Sequence, residues 1–218
     1  MGRFPLLYAI LDEETGARAG WSIPALARAC LAGGARLLQV RAKRAPGGAL
    51  LAMCEEVTAE ARRAGAILIV NDRADIAALA GADGVHLGQD DLPVAAVARA
   101  FPSLGLIGSS THSPEQVDQA TAGPAGYIAV GPIFGTSTKA TPYTAVGVEL
   151  VAYAAGQVGP RPDRPSTARP VVAIGGITLE RAPEVIGAGA TSVAVISDLL
   201  STGDPEARVR QYLARLGL

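Results

Sequence analysis

The chain has 218 residues, 49% of them hydrophobic and 18% charged. That composition excludes a disordered polypeptide and suits one compact unit, since single domains of about 200–250 residues are ordinary. With 19 Lys and Arg against 20 Asp and Glu, the formal net charge is −1, and neither a basic stripe for nucleic acid nor a polybasic membrane patch is present. Only two cysteines occur, Cys30 and Cys54. This excludes a disulfide scaffold, fits a reducing cytoplasm and reads as two buried, inert thiols.

The N-terminal segment Met1-Gly2-Arg3-Phe4-Pro5 runs into an apolar stretch that Asp12 interrupts, too short for a secretory signal. From there, short Val/Ile/Leu-rich runs alternate with longer helical stretches. Strands are predicted over Leu6–Leu11, Arg36–Ala42, Ala66–Asp72, Gly84–Gln89, Leu106–Thr111, Tyr127–Pro132, Pro170–Gly175 and Ser192–Ser197. Helices are predicted over Ile23–Ala32, Ala49–Ala64, Ala74–Ala80, Pro93–Phe101, Pro114–Thr121, Val148–Ala155, Leu179–Gly187 and Pro205–Leu216. The longest uncharged run, Gln119 to Thr138, is broken by Gly123, Pro124, Gly126, Gly131, Pro132 and Gly135 and cannot form one membrane-crossing helix.

Eight strand–helix pairs in strict alternation, with nearly continuous apolar strands, predict a parallel sheet covered by helices. Their number favours an α/β fold of one closed (β/α)₈ TIM barrel over residues 1–218, rather than an open doubly wound sheet. No G-x-G-x-x-G fingerprint follows the first strand, which also counts against a dinucleotide fold. The Pro-rich stretch Gly156–Arg169 falls between the sixth helix and seventh strand. It reads as a mobile loop insertion at the N-terminal face, away from chemistry.

In a (β/α)₈ barrel the active site lies at the C-terminal ends of the strands, so the polar residues there are informative. Gln39, Arg41 and Lys43 alternate with Val40 and Ala42, so period two puts the polar trio on the face toward the barrel mouth. The third strand ends at Asn71-Asp72, and Gln89-Asp90-Asp91 follows the fourth. Two carboxylates beside cations form either an ion-pair network or an oxygen-only site suited to Mg²⁺, with Asp90 or Asp75 as alternative ligands. Ser109-Ser110-Thr111-His112 closes the fifth strand, and Gly135-Thr136-Ser137-Thr138-Lys139 follows the sixth. Gly175-Gly176 and Ile196-Ser197 end the last two strands. Small residues there, opening onto helix N-termini, suit a phosphate, although a Gly-Gly pair also makes a plain tight turn. His112 can act as acid or base near neutrality, whereas His86, inside a strand, reads as a hydrogen-bonded core residue. Tyr127 and Tyr143 carry no special signal. Carboxylates facing a polyanion need a cation between them, so the set as a whole suits one diphosphate and one monophosphate substrate.

Several ordered motifs resemble the thiamine phosphate synthase family. They are Gln39-x-Arg41-x-Lys43, Asn71-Asp72, the run from Ala82 to Asp91 and Ser110-Thr111-His112. Gly131-Pro132-Ile133-Phe134, Thr136-x-Thr138-Lys139, Gly175-Gly176-Ile177 and Val195-Ile196-Ser197 complete the set, and the resemblance runs from about Tyr8 to Leu216. The resemblance implies a (β/α)₈ barrel transferase of thiamine biosynthesis that requires Mg²⁺. It joins hydroxymethylpyrimidine diphosphate to a thiazole phosphate or its carboxylated form, giving thiamine phosphate and pyrophosphate. By the same carry-over, Gln39, Arg41, Lys43, Asn71, Ser110 and Lys139 hold the pyrimidine diphosphate, and Arg41, Lys43 and Lys139 do the catalytic work. Asp72 and Asp91 bind the metal, and Thr136, Thr138, Gly175, Ile196 and Ser197 hold the thiazole phosphate. The chain departs from the family pattern in a longer Pro-rich segment and in Ser109 beside Ser110. The competing expectation is a thiazole tautomerase of the same superfamily, using His112 as acid and base. More distant ones are a non-catalytic phosphate-ligand binder and an unrelated barrel isomerase or decarboxylase acting on a sugar phosphate. The expected partners are small-molecule substrates; the sequence leaves a homo-oligomer open.

Overall fold

A computed structural model describes residues 4–135, 143–159 and 169–217. Eight parallel strands close into a barrel in sequence order, the last pairing with the first. They are β1 (Leu7–Asp12), β2 (Leu37–Arg41), β3 (Ile67–Asn71), β4 (Gly84–Leu87), β5 (Leu106–Thr111), β6 (Tyr127–Val130), β7 (Val171–Ile174) and β8 (Ser192–Val195). The helices are α1 (Glu13–Arg18), α2 (Ile23–Ala32), α3 (Gly47–Arg63), α4 (Ala74–Leu79), α5 (Val94–Ala100), α6 (Pro114–Ala122), α7 (Gly147–Val158), α8 (Ala182–Gly187) and α9 (Pro205–Arg215). A 3₁₀ turn, Ser197–Leu200, follows β8.

The helix starts follow from local chemistry. Ser22, Ser113 and Asp204 each accept a hydrogen bond from a backbone N–H of the first turn, and each is followed by a proline at one of the first helical positions, where no N–H is needed. Helix α1 has no counterpart in the sequence reading. It is six residues long, too short to show a period, but Asp12 caps it through the Thr15 N–H and Glu13 and Glu14 occupy its first turn, as the helix dipole favours. Helix α8 starts at Ala182 rather than Leu179, with Pro183 in its opening positions. Strand β7 stops at Ile174 because Gly175 and Gly176 have φ of 105° and 64°, a turn that side chains with a Cβ resist.

Helix α7 continues to Val158, past the Gly156 where the Pro-rich loop was expected to begin. Most of that segment, 160–168, lies outside the described residues. At its far end Arg169 donates to the carbonyls of Ala120 and Thr121, carbonyls at the end of α6 that have no partner within the helix.

Alternation along each strand divides the core in two. Outward residues such as Leu38, Val40, Leu68 and Val70 pack under the helices together with Cys30 and Cys54. Burial pushes both thiols up to about 12, which leaves them unreactive. Inward residues, Tyr8, Ile10, Leu37, Ile69, Tyr127, Ala129, Val172 and Ala194, fill the barrel. Gly108 makes room for the largest of them: a Cβ there would meet Tyr127 Cζ at 2.0 Å. The barrel interior is therefore a packed plug, and the larger cavity lies above it.

Candidate active site

Strands β1 to β4 build the charged half of the mouth. Asp12 and Arg41 are register partners at the tips of β1 and β2, and Arg41 Nη1 donates to Asp12 Oδ2. Asp12 is 4% exposed; burial raises its pKa, but hydrogen bonds from Thr15 and Arg41 outweigh this and hold the carboxyl below its usual range. Gln39 is buried one step deeper and donates from Nε2 to Tyr8 Oη at 2.7 Å. Its Oε1 has no hydrogen-bond partner among the described residues.

Asp72 has φ of 63°, a left-handed conformation that Asp and Asn tolerate better than most residues. Its carboxylate meets Lys43 Nζ at 3.2 Å and lies against that of Asp91. Burial and the negative charge of Asp91 raise the Asp72 pKa, with Lys43 opposing. Asp91 is held by the Gly88 N–H at 2.7 Å. Of the alternatives, Asp75 is taken up by two hydrogen bonds from Arg73, and Asp90 is exposed. No cluster of three or more metal-ligating side chains occurs among the described residues. Two carboxylates, with no third metal-ligating side chain beside them among the described residues, are a donor set that would suit Mg²⁺, an ion bound through one or two carboxylates together with water and substrate phosphates.

Strands β5 to β8 frame a cavity of about 440 Å³ above the barrel plug. Ser110, His112, Gly175, Ile196 and Ser197 line it. In β5 the inward series is Leu106, Gly108, Ser110, so Ser110 faces the barrel and Ser109 faces away. Ser110 Oγ lies 2.9 Å from His86 Nε2, and His86 Nδ1 lies 2.9 Å from Tyr127 Oη. His86 thus has the hydrogen-bonded role expected, but it also reaches the cavity wall. His112 has Nδ1 2.5 Å from the Gly131 carbonyl, so that nitrogen donates.

Gly131, Gly135, Gly175 and Gly176 bring backbone to the cavity wall. A Cβ on Gly175 would meet Pro132 at 2.5 Å, so the turn after β7 packs directly on the loop after β6. Asp198 braces the turn after β8: its carboxylate accepts from Arg208 three times, at 2.8, 3.0 and 3.2 Å, from Tyr212 Oη at 2.5 Å and from the Leu179 N–H at 3.2 Å. This ties the seventh and eighth strand ends together beneath Ser197. Arg181, also on the cavity wall, donates to the Gly176 carbonyl and lies 4.6 Å over the Phe134 ring.

Arg41, Lys43, Asn71, Asp72 and Asp91 therefore lie at the charged half with Gln39 one step below them, and Ser110, Gly175, Ile196 and Ser197 line the cavity. Thr136, Thr138 and Lys139 lie outside the described residues. Sequence reasoning missed Asp12, Tyr8, Tyr127, Tyr143 and Arg181. Tyr143 stacks on His112 with ring centroids 3.6 Å apart. Asp12 could have been found by the alternation rule that found Arg41, because Tyr8, Ile10 and Asp12 share a face.

These features define a (β/α)₈ barrel whose mouth holds a carboxylate pair beside two cations. The family described as thiamine monophosphate synthase matches residues 7–199, and the chain belongs to it. A thiamine-phosphate synthase of Chlorobium luteolum is 41% identical over 210 residues, covering 96% of this chain and 92% of the relative. One from Mycobacterium bovis is 44% identical over 199 residues, 87% and 86% of the two chains. The solved structure of a thiamine phosphate pyrophosphorylase from Pyrococcus furiosus superposes with a TM-score of 0.83 at 29% identity, covering 97% of this chain and 95% of that one. No helix among the described residues is long and apolar enough to cross a membrane.

Proposed function

We propose that the chain is a thiamine phosphate synthase, a Mg²⁺-dependent transferase joining hydroxymethylpyrimidine diphosphate to a thiazole phosphate with release of pyrophosphate. The observation that carries this reading is the division of the mouth: a carboxylate pair with Lys43 and Arg41 on one side, and a cavity walled in part by Gly131, Gly135, Gly175 and Gly176 on the other. The first suits a diphosphate, the second a monophosphate.

The chemistry needs no protein nucleophile. The C–O bond to the diphosphate breaks first, its electron pair leaving with pyrophosphate. The aminopyrimidine ring delocalises the resulting methylene cation, and the thiazole nitrogen then attacks it. Arg41, Lys43 and Lys139 meet the negative charge that grows on the leaving oxygens, while Asn71 and Ser110 hydrogen-bond the diphosphate. Gln39 Oε1, buried without a partner among the described residues, offers an acceptor to the ring's exocyclic amine. Asp72 and Asp91 hold Mg²⁺, which when bound neutralises charge on the leaving group as a Lewis acid. Thr136, Thr138, Gly175, Ile196 and Ser197 hold the thiazole phosphate and orient its nitrogen.

A second reading, a thiazole tautomerase, draws support from His112 on the cavity wall. That reaction has no use for the carboxylate pair or Lys43. Following pyrophosphate and thiamine phosphate by chromatography separates the two. The synthase requires that both products appear together and only with both substrates present. Interconversion of thiazole phosphate tautomers, with no coupling, would replace the reading.

A further inference from the structure

A continuous hydrogen-bonded chain crosses the barrel core from β2 to the cavity: Gln39, Tyr8, Tyr127, His86, Ser110. Consecutive heavy-atom distances are 2.7, 3.0, 2.9 and 2.9 Å. We propose that the buried pair Tyr8 and Tyr127 are positioning residues that set the ring tautomer of His86 and so present the Ser110 hydroxyl to the mouth as a hydrogen-bond donor.

Each hydroxyl in the chain has one proton to give, which fixes the direction of every bond. Gln39 Nε2 donates to Tyr8 Oη. The single Tyr8 proton then goes to the other neighbour of that oxygen, Tyr127 Oη. Tyr127 in turn has its own proton for His86 Nδ1. A neutral imidazole that accepts at Nδ1 carries its proton on Nε2, and His86 Nε2 lies against Ser110 Oγ. Ser110 accepts that bond and keeps its own proton for another partner. Both phenols hold their protons throughout, because burial raises them far above the ordinary tyrosine value.

The opposite polarity, with Gln39 accepting from Tyr8, would reverse every bond. His86 would carry the proton on Nδ1, and Ser110 would spend its proton on His86. Only lone pairs would then face the mouth. On the proposed reading that Ser110 contacts a diphosphate, the donor form attracts the anion and the acceptor form repels it. The glycine at 108 fits this purpose, since any side chain there would displace the Tyr127 ring. Ring stacking of Tyr127 on His86, with centroids 5.6 Å apart at 18°, holds the pair in line.

The test is nitrogen NMR of the ligand-free, full-length protein with labelled histidine. The chain has only two histidines, and a His112→Asn variant assigns them. His86 is expected to be protonated on Nε2 and His112, which donates to Gly131, on Nδ1. Tyr127→Phe removes the donor to Nδ1, so His86 should become a mixture of tautomers and kcat should fall roughly tenfold, the scale of one lost hydrogen bond. Tyr8→Phe removes the proton that fixes the direction of Tyr127, so Tyr127 can donate to Nδ1 or accept from it, and His86 should again become a mixture of tautomers, less complete than in Tyr127→Phe. A role in packing alone would move neither tautomer. His86 protonated on Nδ1 in the wild type would overturn the proposal even if both variants fail to fold, as would a wild-type tautomer in Tyr127→Phe. Loss of coupling activity in a protein that passes the NMR test would instead count against the proposed function.

Discussion

Replacing Asp72 by asparagine is expected to lower the coupling rate roughly 10²–10³-fold, the usual effect of losing one preorganised electrostatic contact, while the protein stays folded. The two halves of this result have separate causes. Asparagine keeps the shape of the side chain and tolerates the left-handed backbone at φ of 63° almost as well as aspartate does. It also removes a negative charge that lies against Asp91, so the thermal midpoint should hold or rise. What is lost is one of two carboxylates available to a metal and the partner of Lys43 at 3.2 Å. Comparison of kcat with the unfolding midpoint checks both halves. Turnover within twofold of wild type would contradict the metal assignment.

Asp12→Asn is expected to destabilise the protein by about 3 kcal/mol, the low end for breaking a buried ion pair, and to lower turnover through Arg41. Asparagine is as good a helix cap as aspartate, so α1 keeps its start and the effect isolates the pair with Arg41. The pH dependence has a definite sign. The folded-state pKa of Asp12 is depressed, so its ionisation contributes stability above the unfolded value of about 3.9. That contribution disappears as pH falls through the lower folded value. Urea unfolding at several pH values should therefore show a steady gap between wild type and variant from neutrality down to about pH 5, closing in stronger acid. A gap that widens on acidification would refute the ion-pair explanation.

What was legible in the sequence is what local pattern governs. Apolar runs bounded by glycine and proline located all eight strands, and alternation placed Gln39, Arg41 and Lys43 on the mouth side of β2. The same alternation resolves Ser110 from Ser109 once the inward series Leu106, Gly108, Ser110 is followed. Asp12 was within reach of that rule as well, but a lone acid ending the first strand looked like an interruption rather than a tip. Helix α1 went unseen because six residues carry too little periodicity.

The rest depended on barrel closure. Tyr8 and Tyr127 are 119 residues apart, and nothing near either one announces a partner across the core. Tyr143 gains its place by stacking on His112, and Arg181 by reaching back from the turn before α8 to Phe134 and Gly176. Contacts of this kind are set by which strand ends meet, information that a linear pattern does not hold. The ordered motifs nonetheless carried the family resemblance, since they preserve the residues at those ends even where spacing alone could not say what they bind.

The most direct test of the synthase reading is formation of thiamine phosphate from hydroxymethylpyrimidine diphosphate and thiazole phosphate by the purified full chain, measured with Mg²⁺, with chelator, and with Mg²⁺ restored. Thiamine phosphate and equimolar pyrophosphate should form with Mg²⁺, stop on chelation and resume on its return. Coupling that continues unchanged in chelator would contradict the role given to Asp72 and Asp91, and absence of thiamine phosphate under every condition would contradict the synthase itself.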